Sequence, residues 1–272
     1  MAAILIKLYF GPAFMLIDPL FFLIHPHQIA TFRFFRQFEI INHQPERTME
    51  IIRDINLIIH VAAGFTALVV GIFSFASRKG GKVHLLSGKI YVIAMLLVAV
   101  SSFILSLIRY NPFLFMVGVF TLHMTVTGYR GLLKKRQKTQ QAKLVDWLLI
   151  AFSATMAGFM TIRAISQVSD GHMDFLPVVL TFSGILFVFI FTDLRIYLGK
   201  KTMTANDWLL YHIGRISGAY IATFTAFLVV NVQTDPAFIP WLLPTVLGSP
   251  LISYFQRKYK VKKKKLPATG AA

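Results

Sequence analysis

Seven stretches of mostly apolar residues, each about 20 residues long, constrain the fold of this chain more than any other feature. They cover residues 55–76, 90–108, 112–131, 147–166, 175–194, 208–231 and 237–255. A bilayer core about 30 Å thick is crossed by roughly 20 apolar residues of α-helix, and the loops between these stretches are short. The sequence therefore predicts an all-α fold, a polytopic transmembrane helical bundle of seven or eight spans, with the lipid bilayer as its partner.

The composition supports a membrane protein and excludes several other classes. Of the 272 residues, 56% are hydrophobic, against roughly 45–50% in an ordinary soluble domain. The net charge of +17 does not indicate a nucleic-acid partner, because the basic residues lie between the apolar stretches and not on one folded face. The chain has no cysteine, which excludes disulfides, thiolate metal sites and covalently attached c-type haem.

The basic residues predict the orientation of the bundle, since cytoplasmic loops retain Lys and Arg. Residues 77–89, 129–145, 195–207 and 256–265 carry 4, 6, 3 and 7 of them, which is 20 in total. The intervening loops carry two, Arg109 and Arg163. This alternation predicts that the four basic segments and the C-terminus lie in the cytoplasm.

The N-terminal region, residues 1–48, fits the pattern less well. Its apolar run, residues 4–24, is interrupted by two charged residues and two prolines and has no small-residue cleavage site. Two alternatives stay open: an eighth span followed by an outer segment, or a gene-prediction extension ahead of a true start at Met49. The predicted organisation is this doubtful segment, a seven-helix transmembrane domain over 49–255, and a basic cytoplasmic tail over 256–272.

Three charged residues within or at the ends of spans are candidate site residues. Ionisable groups cost about 2.5–3.5 kcal/mol at the centre of a membrane helix on insertion scales, so each is a functional hypothesis by default. Arg215 and Arg130 lie toward the cytoplasmic ends of their spans. We therefore expect both to extend toward the membrane surface as anchors, with contact to a substrate as the alternative. Asp193 is the candidate charge partner of either arginine.

The motif DWLL occurs twice, at 146–149 and 207–210, where a span enters from the predicted cytoplasmic side. An aspartate at such a position caps free N–H groups of the helix, and a tryptophan is typical of the membrane interface. Capping explains the repeat without an internal duplication.

Histidines in the spans leave two interpretations open. His60 and His212 each share a helix face with small residues, which favours close helix packing. A b-type haem is the alternative, because it needs two imidazoles from different helices at matching depth. His123 and His212 form such a pair, with Arg130 and Arg215 near enough to meet the propionates. His60 lies in the outer half and has no partner at its depth unless His172 folds inward.

Four segments carry a resemblance to a known family: HVAAGFTALVVG (60–71), HLLSGKIYV (84–92), HIGRISGAYIATFTAFLVVN (212–231) and PWLLPTVLGSP (240–250). Together they resemble an uncharacterised family of bacterial multi-pass membrane proteins, a domain of unknown function. The resemblance covers roughly 49–255 and implies a bundle in the bacterial inner membrane, and it brings no activity or catalytic residue. A looser likeness to histidine-ligated b-type membrane cytochromes rests on the buried histidines alone.

The sequence names no reaction, since it contains no HExxH, GxSxG or phosphate-binding loop pattern. A hydrolase is therefore not expected, and whether the protein is an enzyme stays open. The first functional hypothesis is a carrier or accessory protein for a small molecule, ion or proton in the bacterial inner membrane. The second is a redox or sensing protein that binds haem b through His123 and His212.

Overall fold

The computed structural model describes residues 28–169, 176–235 and 239–260, with side chains for 47–166, 176–235 and 239–260. The apolar run at 4–24, His172 and the tail beyond residue 260 lie outside the described residues. The described residues form helices and connecting loops. The helices are α1 (Gln28–Ala76), α2 (Lys82–Ile108), α3 (Pro112–Gln137), α4 (Leu144–Ser169), α5 (Leu176–Tyr197), α6 (Ala205–Asn231) and α7 (Ile239–Tyr259).

The predicted all-α multi-pass fold is confirmed. Six helices are long and apolar enough to cross a membrane: α1 from Arg47 onward and α2 to α6. The seventh predicted span, 237–255, corresponds to α7, which carries Pro244 and Pro250 inside the helix and is not among the six in the described part of the chain. The side of the membrane on which each loop lies stays a prediction.

The chain divides into two compact units, residues 1–52 and 53–272. In the first unit the structure describes the backbone of α1 from Gln28. This helix therefore begins well before residue 55, the predicted start of the first span. The second unit contains the rest of α1 and the helices α2 to α7.

Helix α3 organises the second unit, because α2, α4, α5 and α6 all pack against it. Helix α6 also packs against α7, and α4 packs against α5. The buried residues at the centre come from four helices: Val119, Phe120 and Met124 of α3, Ile150 and Ala157 of α4, Leu186 and Ile190 of α5, and Ala219 and Ala222 of α6.

Glycines allow α3 and α6 to approach closely. A Cβ atom at Gly128 would lie 2.9 Å from Cβ of Arg215, and one at Gly131 would lie 2.9 Å from a ring carbon of Tyr211. On the other side of the contact, a Cβ at Gly218 would collide with the terminal methyl of Met124. The small-residue face predicted for the span 208–231, which corresponds to α6, is therefore buried against a neighbouring helix. Because α3 and α6 lie so close together, side chains of α6 can extend beyond α3 to other helices.

Both DWLL motifs cap a helix, as predicted. Asp207 accepts a hydrogen bond from the backbone N–H of Thr204 at 2.9 Å, within a capping box that begins α6. Asp146 accepts one from the backbone N–H of Lys143 at 2.8 Å, at the start of α4. In both motifs the aspartate accepts from the backbone N–H three residues before it, and this shared spacing explains why the motif occurs twice.

One side chain joins the loop between α3 and α4 to the segment between α5 and α6. The amide nitrogen of Gln140 donates to the carbonyl oxygens of Ile196 at 2.8 Å and Lys201 at 2.5 Å. Its amide oxygen accepts from the backbone N–H of Met203 at 2.9 Å. The two connections are therefore held together at the same end of the bundle.

Candidate functional site

Asp193 and His123 form the centre of a buried polar cluster. His123 lies on α3 and Asp193 near the end of α5, and both side chains are 0% exposed. Nε2 of His123 lies 3.0 Å from Oδ2 of Asp193. Because a carboxylate only accepts hydrogen bonds, Nε2 carries the hydrogen and donates it to Asp193.

Helix α6 supplies two more donors to the same carboxylate. Nη2 of Arg215 donates to Oδ1 of Asp193 at 2.6 Å, and the hydroxyl of Tyr211 donates to that oxygen at 2.7 Å. Nη2 of Arg215 also donates to the carbonyl oxygen of Phe189 at 2.9 Å. The guanidinium lies 4.2 Å from the ring centroid of Phe189 and 4.8 Å from that of Tyr211. Asp193 therefore holds α3, α5 and α6 together through three donors.

Ser153 of α4 completes the cluster on the other side of the imidazole. Its hydroxyl oxygen lies 3.0 Å from Nδ1 of His123, and both residues are fully buried. When His123 is neutral, the Ser153 hydroxyl donates to Nδ1. When His123 is protonated, Nδ1 donates to the same oxygen, because a hydroxyl can serve in either role. The contact can therefore persist in both protonation states.

The expectation that Arg215 extends to the membrane surface is wrong. The residue is 3% exposed and its guanidinium is bonded to Asp193. The reason is that Asp193 faces it from α5, and Gly128 leaves room for Arg215 against α3. The guanidinium is satisfied inside the bundle and has no need to reach the headgroups.

Arg130, the other candidate partner of Asp193, belongs to a second cluster. Its Nε and Nη2 donate to the two carboxylate oxygens of Asp146 at 2.5 and 2.7 Å. Nζ of Lys134 lies 3.2 Å from the same carboxylate, and the Tyr197 hydroxyl donates to it at 3.3 Å. Asp146 is 2% exposed. It therefore acts both as a helix cap and as the centre of an ion-pair cluster joining α3, α4 and α5.

His212 and His60 do not join either cluster. Nδ1 of His212 lies 3.0 Å from the carbonyl oxygen of Gly128 on α3, so this imidazole donates to the backbone. Nδ1 of His60 lies 2.8 Å from the hydroxyl of Ser101 on α2. In the part of the chain that the structure describes, no group of three or more His, Cys, Asp or Glu residues could hold a metal ion.

The geometry around His123 does not fit a haem ligand. Both of its ring nitrogens are engaged, by Ser153 and by Asp193. Coordination of iron by either nitrogen would break one of these buried contacts. The candidate haem pair His123 and His212 is therefore not arranged for shared ligation.

Lys79, between α1 and α2, brings the end of α1 next to α7. Its Nζ donates to the carbonyl oxygens of Ser74 at 2.8 Å and Phe75 at 2.9 Å, and lies 5.5 Å from the ring centroid of Phe255 on α7. Burial lowers the pKa of Lys79, and the positive charge of Lys258 on α7 lowers it further. The first basic loop and the C-terminal end of α7 therefore lie at the same end of the second unit.

Sequence reasoning missed Ser153 and Tyr211, which both contact the central pair. A serine in an apolar span gives no signal of its own, because serines often bond to their own helix. Tyr211 had a weak signal, since it lies four residues before Arg215 and so shares its helix face.

Comparison with known proteins identifies a family. A family model described as "Predicted membrane protein (DUF2306)" matches residues 57–196. This range includes His123, Ser153 and Asp193 and ends before Tyr211 and Arg215. No curated protein and no solved structure matches the chain. The match agrees with the resemblance to an uncharacterised family of multi-pass membrane proteins.

Proposed function

We propose a function for this chain, which belongs to the DUF2306 family of predicted membrane proteins, from the chemistry of its buried site: it is an integral membrane protein that carries protons through His123. The observation that carries the proposal is the position of this imidazole between the Ser153 hydroxyl and the Asp193 carboxylate. Ionisable groups within a membrane bundle are costly and typically mark proton relays or ion pathways. A carrier is also the first hypothesis drawn from the sequence.

The charges of the cluster support a proton as the carried species. Asp193 and Arg215 carry opposite charges and are bonded to each other, so the cluster has no net charge when His123 is neutral. Uptake of one proton at Nδ1 adds a single positive charge beside the Asp193 carboxylate. The Ser153 hydroxyl changes from donor to acceptor in this step, and release of the proton reverses it.

The hydrogen bonds of the cluster favour a proton over a haem group. The three donors to Asp193 and the two partners of His123 are supplied by the protein itself. We expect protein purified from haem-replete cells to show no Soret absorption. A reduced Soret band that disappears in His212→Ala would contradict the proton proposal and support the haem alternative.

We further propose that the protein lies in the bacterial inner membrane, with the basic loops and the C-terminus in the cytoplasm. The support is the distribution of Lys and Arg in the sequence. The contact of Lys79 with Phe255 is consistent with this orientation, because it brings two of the basic segments to one end of the unit.

Proton flux into liposomes tests the proposed function. The purified protein is reconstituted in vesicles that contain a pH-sensitive dye, and a potassium diffusion potential drives protons inward. We expect wild-type protein to acidify the vesicles faster than protein-free vesicles. His123→Gln should reduce the flux to the protein-free level, since a glutamine amide has no basic nitrogen that takes up a proton.

His60→Gln is the matched control, because His60 is also bonded to a serine on a neighbouring helix but lies outside the cluster. It should keep the wild-type flux. Ser153→Ala provides a second variant if His123→Gln fails to fold, and it should slow the flux. Wild-type flux equal to that of protein-free vesicles, or equal flux in His123→Gln and wild type, would contradict the proposal.

A further inference from the structure

Two buried hydroxyl groups outside the charge cluster have no hydrogen-bond partner among the described residues: those of Tyr91 on α2 and Thr125 on α3. Tyr91 is 2% exposed and Thr125 is 0% exposed. A buried polar group without a partner is destabilising, because it loses its hydrogen bonds to water and gains none in the protein. Neither group takes part in the proposed proton transfer.

Two neighbouring threonines on α3 show how a buried hydroxyl in a helix usually finds a hydrogen-bond partner. The hydroxyl of Thr121 donates to the carbonyl oxygen of Val117 at 2.8 Å, and that of Thr127 donates to the carbonyl oxygen of His123 at 2.6 Å. Both bonds run to the residue four positions earlier. Thr125 lies between these two threonines and does not make the equivalent bond.

The two hydroxyls belong to one helix interface. A Cβ at Gly118 would collide with the side chain of Ser102, so these positions of α3 and α2 face each other. Thr125 follows Gly118 by seven residues, which returns it to the same face of α3 at about 100° per residue. In the antiparallel helix α2, Met95 precedes Ser102 by the same number of residues. Thr125 therefore lies at the level of Met95 and faces α2.

Helix α6 contributes a third hydroxyl beside this interface, that of Thr223. Oγ1 of Thr223 lies 3.4 Å from Sδ of Met95 and donates to the carbonyl oxygen of Ala219 at 2.9 Å. It lies near the Tyr91 hydroxyl without the geometry of a hydrogen bond. Tyr91 lies one turn before Met95 on the same face of α2. Three helices thus contribute hydroxyl-bearing residues near the level of Met95, which is 0% exposed and is contacted by Thr223.

We propose that a water molecule binds between α2, α3 and α6 beside Met95, with the hydroxyls of Tyr91 and Thr125 as its partners. Thr223 is its third partner, because the oxygen of that hydroxyl retains lone pairs after donating to Ala219. Buried waters typically make about three hydrogen bonds to groups that lack partners in the protein. This site is independent of the proposed proton transfer at His123.

X-ray radiolysis with mass spectrometry tests the site in the full-length protein. Radiolysis converts a bound water into hydroxyl radicals, and a methionine sulfur next to it is readily oxidised. We expect several-fold more oxidation of Met95 than of Met116. Met116 is the matched control because it is 1% exposed and packs among the apolar residues Met160, Ala164 and Val179.

Variants identify the hydroxyls that hold the water. Thr125→Val combined with Tyr91→Phe should lower Met95 oxidation to the level of Met116, whereas Thr125→Ser should preserve it. If the double variant does not fold, Thr125→Val alone is tested instead, and it should lower the oxidation of Met95. Equal oxidation of Met95 and Met116 in the wild type, or unchanged Met95 oxidation in the folded valine variant, would overturn the proposal.

Discussion

Replacing Asp193 with asparagine should strongly destabilise the protein. The carboxylate accepts hydrogen bonds from His123, Tyr211 and Arg215, and the guanidinium is 3% exposed. Asparagine has one acceptor oxygen and removes the negative charge, so Arg215 is left as a buried charge without a counterion. Breaking a buried ion pair in this way costs about 3–5 kcal/mol of unfolding free energy.

A double-mutant cycle separates the ion pair from general damage to packing. Arg215→Met alone should also be costly, because it leaves Asp193 charged and buried. The double variant Asp193→Asn with Arg215→Met removes both charges. We expect it to lose less stability than the two single variants added together, by about 1–3 kcal/mol.

The assay is reversible unfolding in mild detergent as a function of SDS, followed by circular dichroism. Asp54→Asn is the matched control, since its side chain is 58% exposed and its partner is the adjacent Arg53 at 2.6 Å. An exposed pair of this kind contributes about 0–1 kcal/mol. The reasoning is refuted if Asp193→Asn costs no more than Asp54→Asn, or if the effects at 193 and 215 simply add.

Three further predictions follow from packing and topology. Gly218→Leu should lower thermal stability in detergent more than Leu228→Phe, because position 218 is packed against α3, and equal stability of the two variants would contradict the buried face. Alkaline phosphatase fused at residue 140 or 265 should be inactive, since both sites are predicted to be cytoplasmic, and activity at either would overturn the orientation. Protein started at Met49 should still insert and resist alkaline extraction from membranes, whereas its loss from the membrane would show that the deleted segment is needed.

The sequence was sufficient to predict the helices because membrane thickness fixes their length. Six predicted spans correspond to helices that meet the length and hydropathy needed to cross a bilayer. Helical periodicity also identified the buried face of α6, where Arg215, Ala219 and Ala222 are all buried. Local geometry likewise predicted the two capping aspartates. These features depend on residues close together in the chain.

The sequence could not identify which helices face each other. His123 and Asp193 are 70 residues apart, and His123 and Ser153 are 30 apart. Periodicity gives the direction of each side chain relative to its own helix and says nothing about its neighbour. For the same reason Asp193 had two candidate arginines. The packing of both α5 and α6 against α3 brings Asp193 to Arg215.

The order of residues in the cluster has a consequence for biosynthesis. Arg215 follows Asp193 by 22 residues, and ribosomes add about 5–20 residues per second. The Asp193 carboxylate is therefore made about 1–4 s before its counterion, while His123 has already been synthesised. During this interval His123, which lies on the earlier helix α3, can donate a hydrogen bond to the carboxylate. A variant without this imidazole should consequently delay the membrane integration of α5 in a translation time course, even though the finished ion pair would still be present.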